Sequence, residues 1–336
     1  MLVDGGIGAD LSQAAEGARL QEELGFDGLW AAETNHDPFL ALTLAAEHTE
    51  RIELGTGIAV AFARSPMTLA QTAYNLNAFA EGRLLLGLGS QIKAHITRRF
   101  SMPWSRPAAR MREYVQAMRA IWEAWEQGTK LDFRGDFYEH TLMTPFFDPG
   151  PNPHGAPRVF LAAVGELMTQ VVGEVCDGML CHGFTTESYL REVTLPALGR
   201  GLDASGRDRA DLQLSLPAFV VTGTTPEEMA KADAAVRGQI AFYASTPAYR
   251  GVLEHHGWGD LQPELNALSK QGGWKEMGER IDDEVLAAFA VVAEPDRVGD
   301  ELASRFGDLV DRLSFYAPYR AQPGAFAPAI ERLRAG

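Results

Sequence analysis

Cysteine is scarce. The 336-residue chain has two, Cys176 and Cys181. Two cannot staple a chain of this length, and a lone C-x4-C pair lacks the second pair of a zinc site. Two buried thiols in a reducing compartment are expected instead. Positive charge is short as well. The 30 Lys and Arg are outnumbered by 45 Asp and Glu, for a formal net charge of -15. Such a chain repels phosphate backbones, so no nucleic-acid partner is expected. Long apolar runs are missing, and none approaches the roughly 18 residues of a membrane helix. The N-terminus, MLVDGGIGAD, lacks the basic and apolar regions of a signal peptide. A cytoplasmic protein with no membrane partner is the expectation. Three motifs are absent too. Gly87-Leu-Gly89 follows a strand-like run, but Ile92 stands where a dinucleotide fingerprint needs its third Gly. There is neither a G-x4-G-K-[ST] phosphate loop nor a G-x-S-x-G elbow.

What is present is an ordinary globular balance. Hydrophobic residues make up 46% and charged ones 22%, which excludes disordered and collagen-like chains. The length allows one large domain or about two, and an α/β barrel needs roughly 250 residues plus insertions. Eight apolar runs read as strands: Leu2–Gly6, Phe26–Glu33, Ile52–Val60, Arg83–Gly89, Arg158–Ala163, Asp177–His182, Leu212–Thr222 and Arg312–Ala317. Several are apolar almost throughout, as parallel strands covered on both faces should be.

Helix signals fall between them. Asp37-Pro38 and Ser65-Pro66 each set a cap before a first-turn proline, and Thr225-Pro226-Glu227-Glu228 repeats the device. Asp10 with Gln13 resembles a capping box, and Gly25 closes that helix. Met111, Tyr114, Val115, Met118, Ile121, Trp122 and Trp125 fall at helical spacing and read as core. Alternating strands and helices predict a (β/α)8 TIM barrel formed by residues 1–336 as one domain. Two excursions interrupt the repeat, about 127–157 after the fourth strand and about 239–284 after the seventh. Both are rich in aromatics and read as lids, binding segments or interfaces.

A barrel carries its site at the C-terminal ends of its strands. That rule selects Asp4 to Gly6, Glu33 to His36, Gly57 to Arg64, Gly89 to His95, Ala163 to Glu166, and Cys181 to Gly183. The set contains His36, His95 and His182 but no recognisable metal-ligand spacing, so no metal is expected. Ala163-Val164-Gly165-Glu166 runs from a strand into a helix, where backbone amides favour phosphate.

GFDGLWAAE, ELGTGIAVAFARSPMTLAQTA, EGRLLLGLGSQ and VCDGMLCHG together resemble the bacterial-luciferase-like superfamily. Within it, the oxidoreductases that use coenzyme F420, a deazaflavin, are the most similar subgroup, and the resemblance extends to the terminal DRLSFYAP. It implies a barrel holding the deazaflavin, or alternatively FMN, at the strand C-termini. It also implies a non-proline cis peptide at Gly57–Ile58, against the cofactor ring. Ser90, Gln91 and His95 match positions along the cofactor's polar edge. Ala163, Val164 and Gly165 match the phosphate turn, and His182 a residue beside it. Glu33 matches an acidic position at the reactive face. Thr34 stands where the family's sugar-phosphate dehydrogenases carry His, and Lys93 where they carry Glu, so that substrate is disfavoured.

His36 is then the expected proton-transfer group, supported by Glu33. Arg64, Arg98 and Arg99 are candidates for the coenzyme's acidic tail. Three functions follow: an F420-dependent oxidoreductase, an FMN-dependent monooxygenase, or a non-catalytic flavin-binding relative. The substrate is expected to be a small molecule, apolar or ring-containing. The excursion aromatics equally suit a homodimer or higher homo-oligomer interface.

Overall fold

The computed structural model describes residues 1–8, 10–321 and 324–335. Eight strands form a closed parallel ring: β1 Leu2–Ile7, β2 Gly28–Ala31, β3 Glu53–Thr56, β4 Leu84–Gly89, β5 Arg158–Ala163, β6 Gly178–Cys181, β7 Gln213–Val221 and β8 Arg312–Tyr316. Closure is explicit in the register. Leu2 pairs with Arg312 across β1 and β8, and Leu214 with Met179 across β7 and β6. The fold is the predicted TIM barrel, and all eight predicted strands are in it.

Their bounds differ in one informative place. The run read as Ile52–Val60 is split: β3 ends at Thr56, the Gly57–Ile58 peptide bond is cis, and Ala59–Val60 resumes pairing with β4. Gly89 makes that bulge possible, because a Cβ there would sit 2.8 Å from Ile58 Cδ1.

The helices begin where the capping residues predicted. Asp37 accepts from Phe39 N–H at the start of α2 (Pro38–Glu47), and Ser65 from Thr68 N–H at the start of α3 (Pro66–Phe79). The cap of α1 (Leu11–Glu23) differs: Asp10 accepts from the N–H and hydroxyl of Ser12, without the reciprocal bond from Gln13. The apolar stripe of α4 (Pro107–Gln127) is buried core, as its spacing predicted. Helices α5 (Glu166–Val175), α6 (Leu195–Ser205) and α7 (Pro226–Ala244) continue the repeat. Cys176 and Cys181 are buried free thiols, each pushed by burial up to about 12, which makes them unreactive.

The barrel interior is ionic near its base. Arg312 grips the fully buried Asp4 carboxylate with Nε and Nη2, at 2.8 and 2.7 Å, and reaches Glu53 with Nη1 at 2.5 Å. Trp30 Nε1 donates to the same Asp4 at 2.9 Å, and the Trp30 ring meets Phe160 edge-on. Asp4, placed at the mouth by the strand-end rule, therefore lies inside the barrel as a structural counter-ion. Its register partner is Gly28, the first residue of β2.

The first excursion contains a short hairpin, Phe133–Arg134 with Glu139–His140. Glu113 of α4 ties it down by accepting from the N–H groups of Asp136, Phe137 and Tyr138. The second begins later than predicted, because α7 runs unbroken to Ala244. It is helical and has its own core: Val252, Leu253, Leu265, Met277 and Val285 pack on α7 and on Phe219 and Val221 of β7. It returns through Ala290–Val292, a short strand beside the upper half of β7. No helix among the described residues is long and apolar enough to cross a membrane.

Candidate active site

The mouth at the strand C-termini has two walls. The first follows β2, β3 and β4. Glu33 follows β2 and points at the bulge, where its Oε2 accepts from Val60 N–H at 2.8 Å and from Arg64 Nη1 at 2.7 Å. Arg64 also bridges to Asp37 at 2.8 Å. Glu33 therefore holds the bulge, and no bond joins it to His36. Arg64, a candidate for the coenzyme tail, is already engaged by these two carboxylates.

His36 is exposed on the loop before α2. Arg99 reaches back to donate to the carbonyl of Thr34 and lies over the Phe100 ring. Arg98 and His95 are exposed on the same turn after β4, as is Lys93. Ser90 donates to Gln91 O, and Gln91 adopts φ of 56° with its side chain accepting from Ile92 N–H.

The second wall follows β5 to β8. Ala163 pairs with Cys181, so Val164 and His182 leave the barrel side by side. Gly165 opens α5 with φ of 83°, and nothing lies within 4 Å of where a Cβ would be. Val164 is 45% exposed there.

His182 is enclosed by aromatics. Its ring stacks on Tyr249 with centroids 4.5 Å apart and meets Tyr243 edge-on at 4.7 Å. Burial pulls it down to about 4, so the ring is neutral near pH 7. Tyr243 and Tyr316 share a hydrogen bond of 2.6 Å between hydroxyls, and Phe184 and Phe219 close the back of the wall. Gly183 lets the loop approach, since a Cβ would stand 2.9 Å from Tyr316 Cδ1 and 3.0 Å from Pro217 O. Among the described residues, no three His, Cys, Asp or Glu side chains could share a metal ion.

A family model described as luciferase-like monooxygenase matches residues 2–312. The chain belongs to this family. An uncharacterized protein of Mycobacterium tuberculosis is 57% identical over 311 residues, covering 93% of this luciferase-like chain and 92% of the relative. An F420-dependent glucose-6-phosphate dehydrogenase of Rhodococcus erythropolis is 30% identical over 230 residues, 64% of this chain and 66% of that one. Among solved structures, the coenzyme F420 dependent tetrahydromethanopterin reductase of Methanopyrus kandleri superposes with a TM-score of 0.80 at 19% identity. That superposition covers 99% of this chain and 98% of the other.

The predicted residues divide between the walls of this luciferase-like barrel. Glu33, His36, Gly57, Ile58, Ser90, Gln91 and His95 line the first; Ala163, Val164, Gly165 and His182 line the second. Strand-end reasoning missed Tyr316, which lies inside the last predicted strand. It also left Tyr243 and Tyr249 as undifferentiated aromatics of an excursion. Only the density of aromatics in that excursion signalled them.

Proposed function

We propose that the chain is a coenzyme F420-dependent oxidoreductase acting on a small organic substrate. The observation that carries this reading is the open turn at Gly165. The ten-residue helix Glu166–Val175 starts at this turn with no side-chain cap on its first amides, beside an exposed Val164, and a Cβ on Gly165 would meet nothing within 4 Å. Such a terminus suits a phosphate. A side chain on Gly165 would occupy the same space. The residues present therefore fit a phosphate-bearing flavin or deazaflavin, with Ala163, Val164 and Gly165 holding its phosphate. Gly57 and Ile58 would support its ring, and Ser90, Gln91 and His95 its polar edge, with His182 beside the phosphate turn.

When bound, the deazaflavin supplies a hydride. FMN carries a similar ring and phosphate, so the turn alone does not choose between them. The names of the Rhodococcus and Methanopyrus relatives support F420. On the protein side, His36 exchanges the accompanying proton from an exposed position, while Glu33 fixes the bulge through Val60 and Arg64.

Titrating the purified chain with F420 and with FMN, followed by tryptophan fluorescence, tests the reading. F420 should bind more tightly; tight FMN binding without any response to F420 would overturn it. With a true substrate, His36→Ala should slow turnover by about 10²–10⁴-fold while cofactor affinity holds. Wild-type turnover in that variant removes His36 from the chemistry.

A further inference from the structure

The aromatic wall presents a hydrogen-bond donor that the barrel itself does not use. His182 Nδ1 accepts from Phe184 N–H at 3.0 Å. The ring is neutral, so its one proton sits on Nε2. That N–H lies 3.1 Å from Tyr249 Oη and donates to it. The hydrogen of the Tyr249 hydroxyl must then point elsewhere, and among the described residues that hydroxyl makes no second hydrogen bond.

The hydroxyl is also well placed in space. Tyr249 ends a short turn, Pro247–Tyr249, just beyond α7. Gln262 and Asn266 hold that turn's approach by donating to Ser245 O at 3.1 and 2.9 Å. Stacking on His182 fixes the ring. The surroundings are Phe184, Tyr243 and Tyr316, with no Lys or Arg among the ring contacts. A neutral donor in an aromatic wall suits an uncharged oxygen on an apolar molecule, not a phosphate or carboxylate.

We propose that Tyr249, aimed by His182, donates a hydrogen bond to the substrate's oxygen, and that the substrate is a carbonyl compound or the matching alcohol with an apolar flank. This rests on the proposed oxidoreductase reading: a donor on a carbonyl oxygen withdraws charge as hydride reaches the carbon. Tyr249 is the residue that touches substrate, and His182 is a positioning residue.

Two probes differing only in the acceptor test it on the purified chain without cofactor. They are para-trifluoromethyl acetophenone and its ethylbenzene counterpart, in which the carbonyl is a methylene. Fluorine NMR gives the affinity of each, and their ratio reports the hydrogen bond. Tyr249→Phe should lower the ratio about tenfold, the size of one hydrogen bond in a dry site. His182→Phe, which keeps a ring but loses the N–H, should lower it in the same direction. His182→Gln, which restores an N–H, should recover part of the preference.

A ratio unchanged in Tyr249→Phe overturns the proposal, as does a wild-type chain that binds neither probe. Weakened F420 binding in Tyr249→Phe with an intact ratio also overturns it, because the donor then serves the cofactor. If the ratio responds but F420 does not bind the wild type, the cofactor reading fails and the donor stands. If F420 binds and the ratio does not respond, the donor fails alone.

Discussion

On the β2–β4 side of the mouth, a carboxylate and a guanidinium neutralise each other. On the β6–β8 side, an imidazole is neutral because it is buried. Glu33 and Arg64 bridge loops with charge, while His36, His95 and Arg98 stand in water around them. His182, Tyr243, Tyr249 and Tyr316 bridge loops with ring faces and hydroxyls. Charge in water exchanges protons readily, and a neutral dry surface discriminates shape and hydrogen bonding. In the reading proposed above, the first wall would carry the proton and the second the cofactor phosphate and the substrate oxygen. The second wall is built mainly by the barrel's own strand ends and α7, and the excursion, packed on Phe219 and Val221 of β7, adds Tyr249 to it.

The sharpest way to break the contrast is to strip the charged wall of its anchor. The Glu33 side chain is 7% exposed and that of Arg64 18%, so the pair is largely desolvated. Glu33→Ala leaves the Val60 N–H without its partner and Arg64 paired with Asp37 alone. Stranding a fully buried charge costs about 3–5 kcal/mol, and the retained Asp37 bridge brings this loss down to about 2–3 kcal/mol. Denaturant unfolding should show a loss of that order. Arg64→Met should cost a similar amount, and the double variant less than the sum of the singles. A loss under about 1 kcal/mol would mean that water already screens the pair, and the bulge would need another support.

Acid should attack the other wall. Burial lowers the His182 pKa from 6.5 to about 4, so between those values the unfolded chain takes up a proton that the folded one refuses. The stability contributed by neutral His182 is complete above pH 6.5 and is lost as pH falls toward 4. The whole loss is on the order of 3 kcal/mol. His182→Gln has no such proton, so its stability should fall less steeply across that window. Parallel pH profiles of the two chains would place the imidazole in water instead.

The strands were legible because burial on both faces leaves little polar alternation: β4 is buried at every position. Helix starts were legible because capping is local. The split after Thr56 was not legible in hydropathy, since Gly57-Ile58-Ala59-Val60 is as apolar as a continuous strand; the family resemblance placed the cis bond at Gly57–Ile58, where the structure has it. Ala290–Val292 escaped notice because three residues directly behind a helix carry no period of their own.

The site was half legible for a related reason. The strand-end rule finds Glu33 and Arg64 by position but says nothing of the bond between them, 31 residues apart in the chain. His182 was found the same way. Its partner Tyr249 lies 67 residues away on a helical excursion that no strand rule reaches. Residue type at a strand end marks where chemistry happens; whether a carboxylate is free or committed depends on tertiary contacts.

The smallest expected effect concerns how the charged wall is held at its rim. Arg99 donates to Thr34 O across the mouth, tying the turn after β4 to the loop that carries His36. Both residues are exposed, so water competes for the same bond and its net worth is about 0.5–1 kcal/mol. Arg99→Ala should therefore leave global stability within that margin. Its effect should be local, because a loop is released while the barrel beneath it stays intact. Amide hydrogen exchange should quicken at residues 34–37 by a few fold, and remain unchanged at His182 and in the second excursion. On the proposed role of His36, turnover should slow without weaker cofactor binding. Equal acceleration on both walls would show that the mouth moves as one body, and the division of labour between its sides would fail.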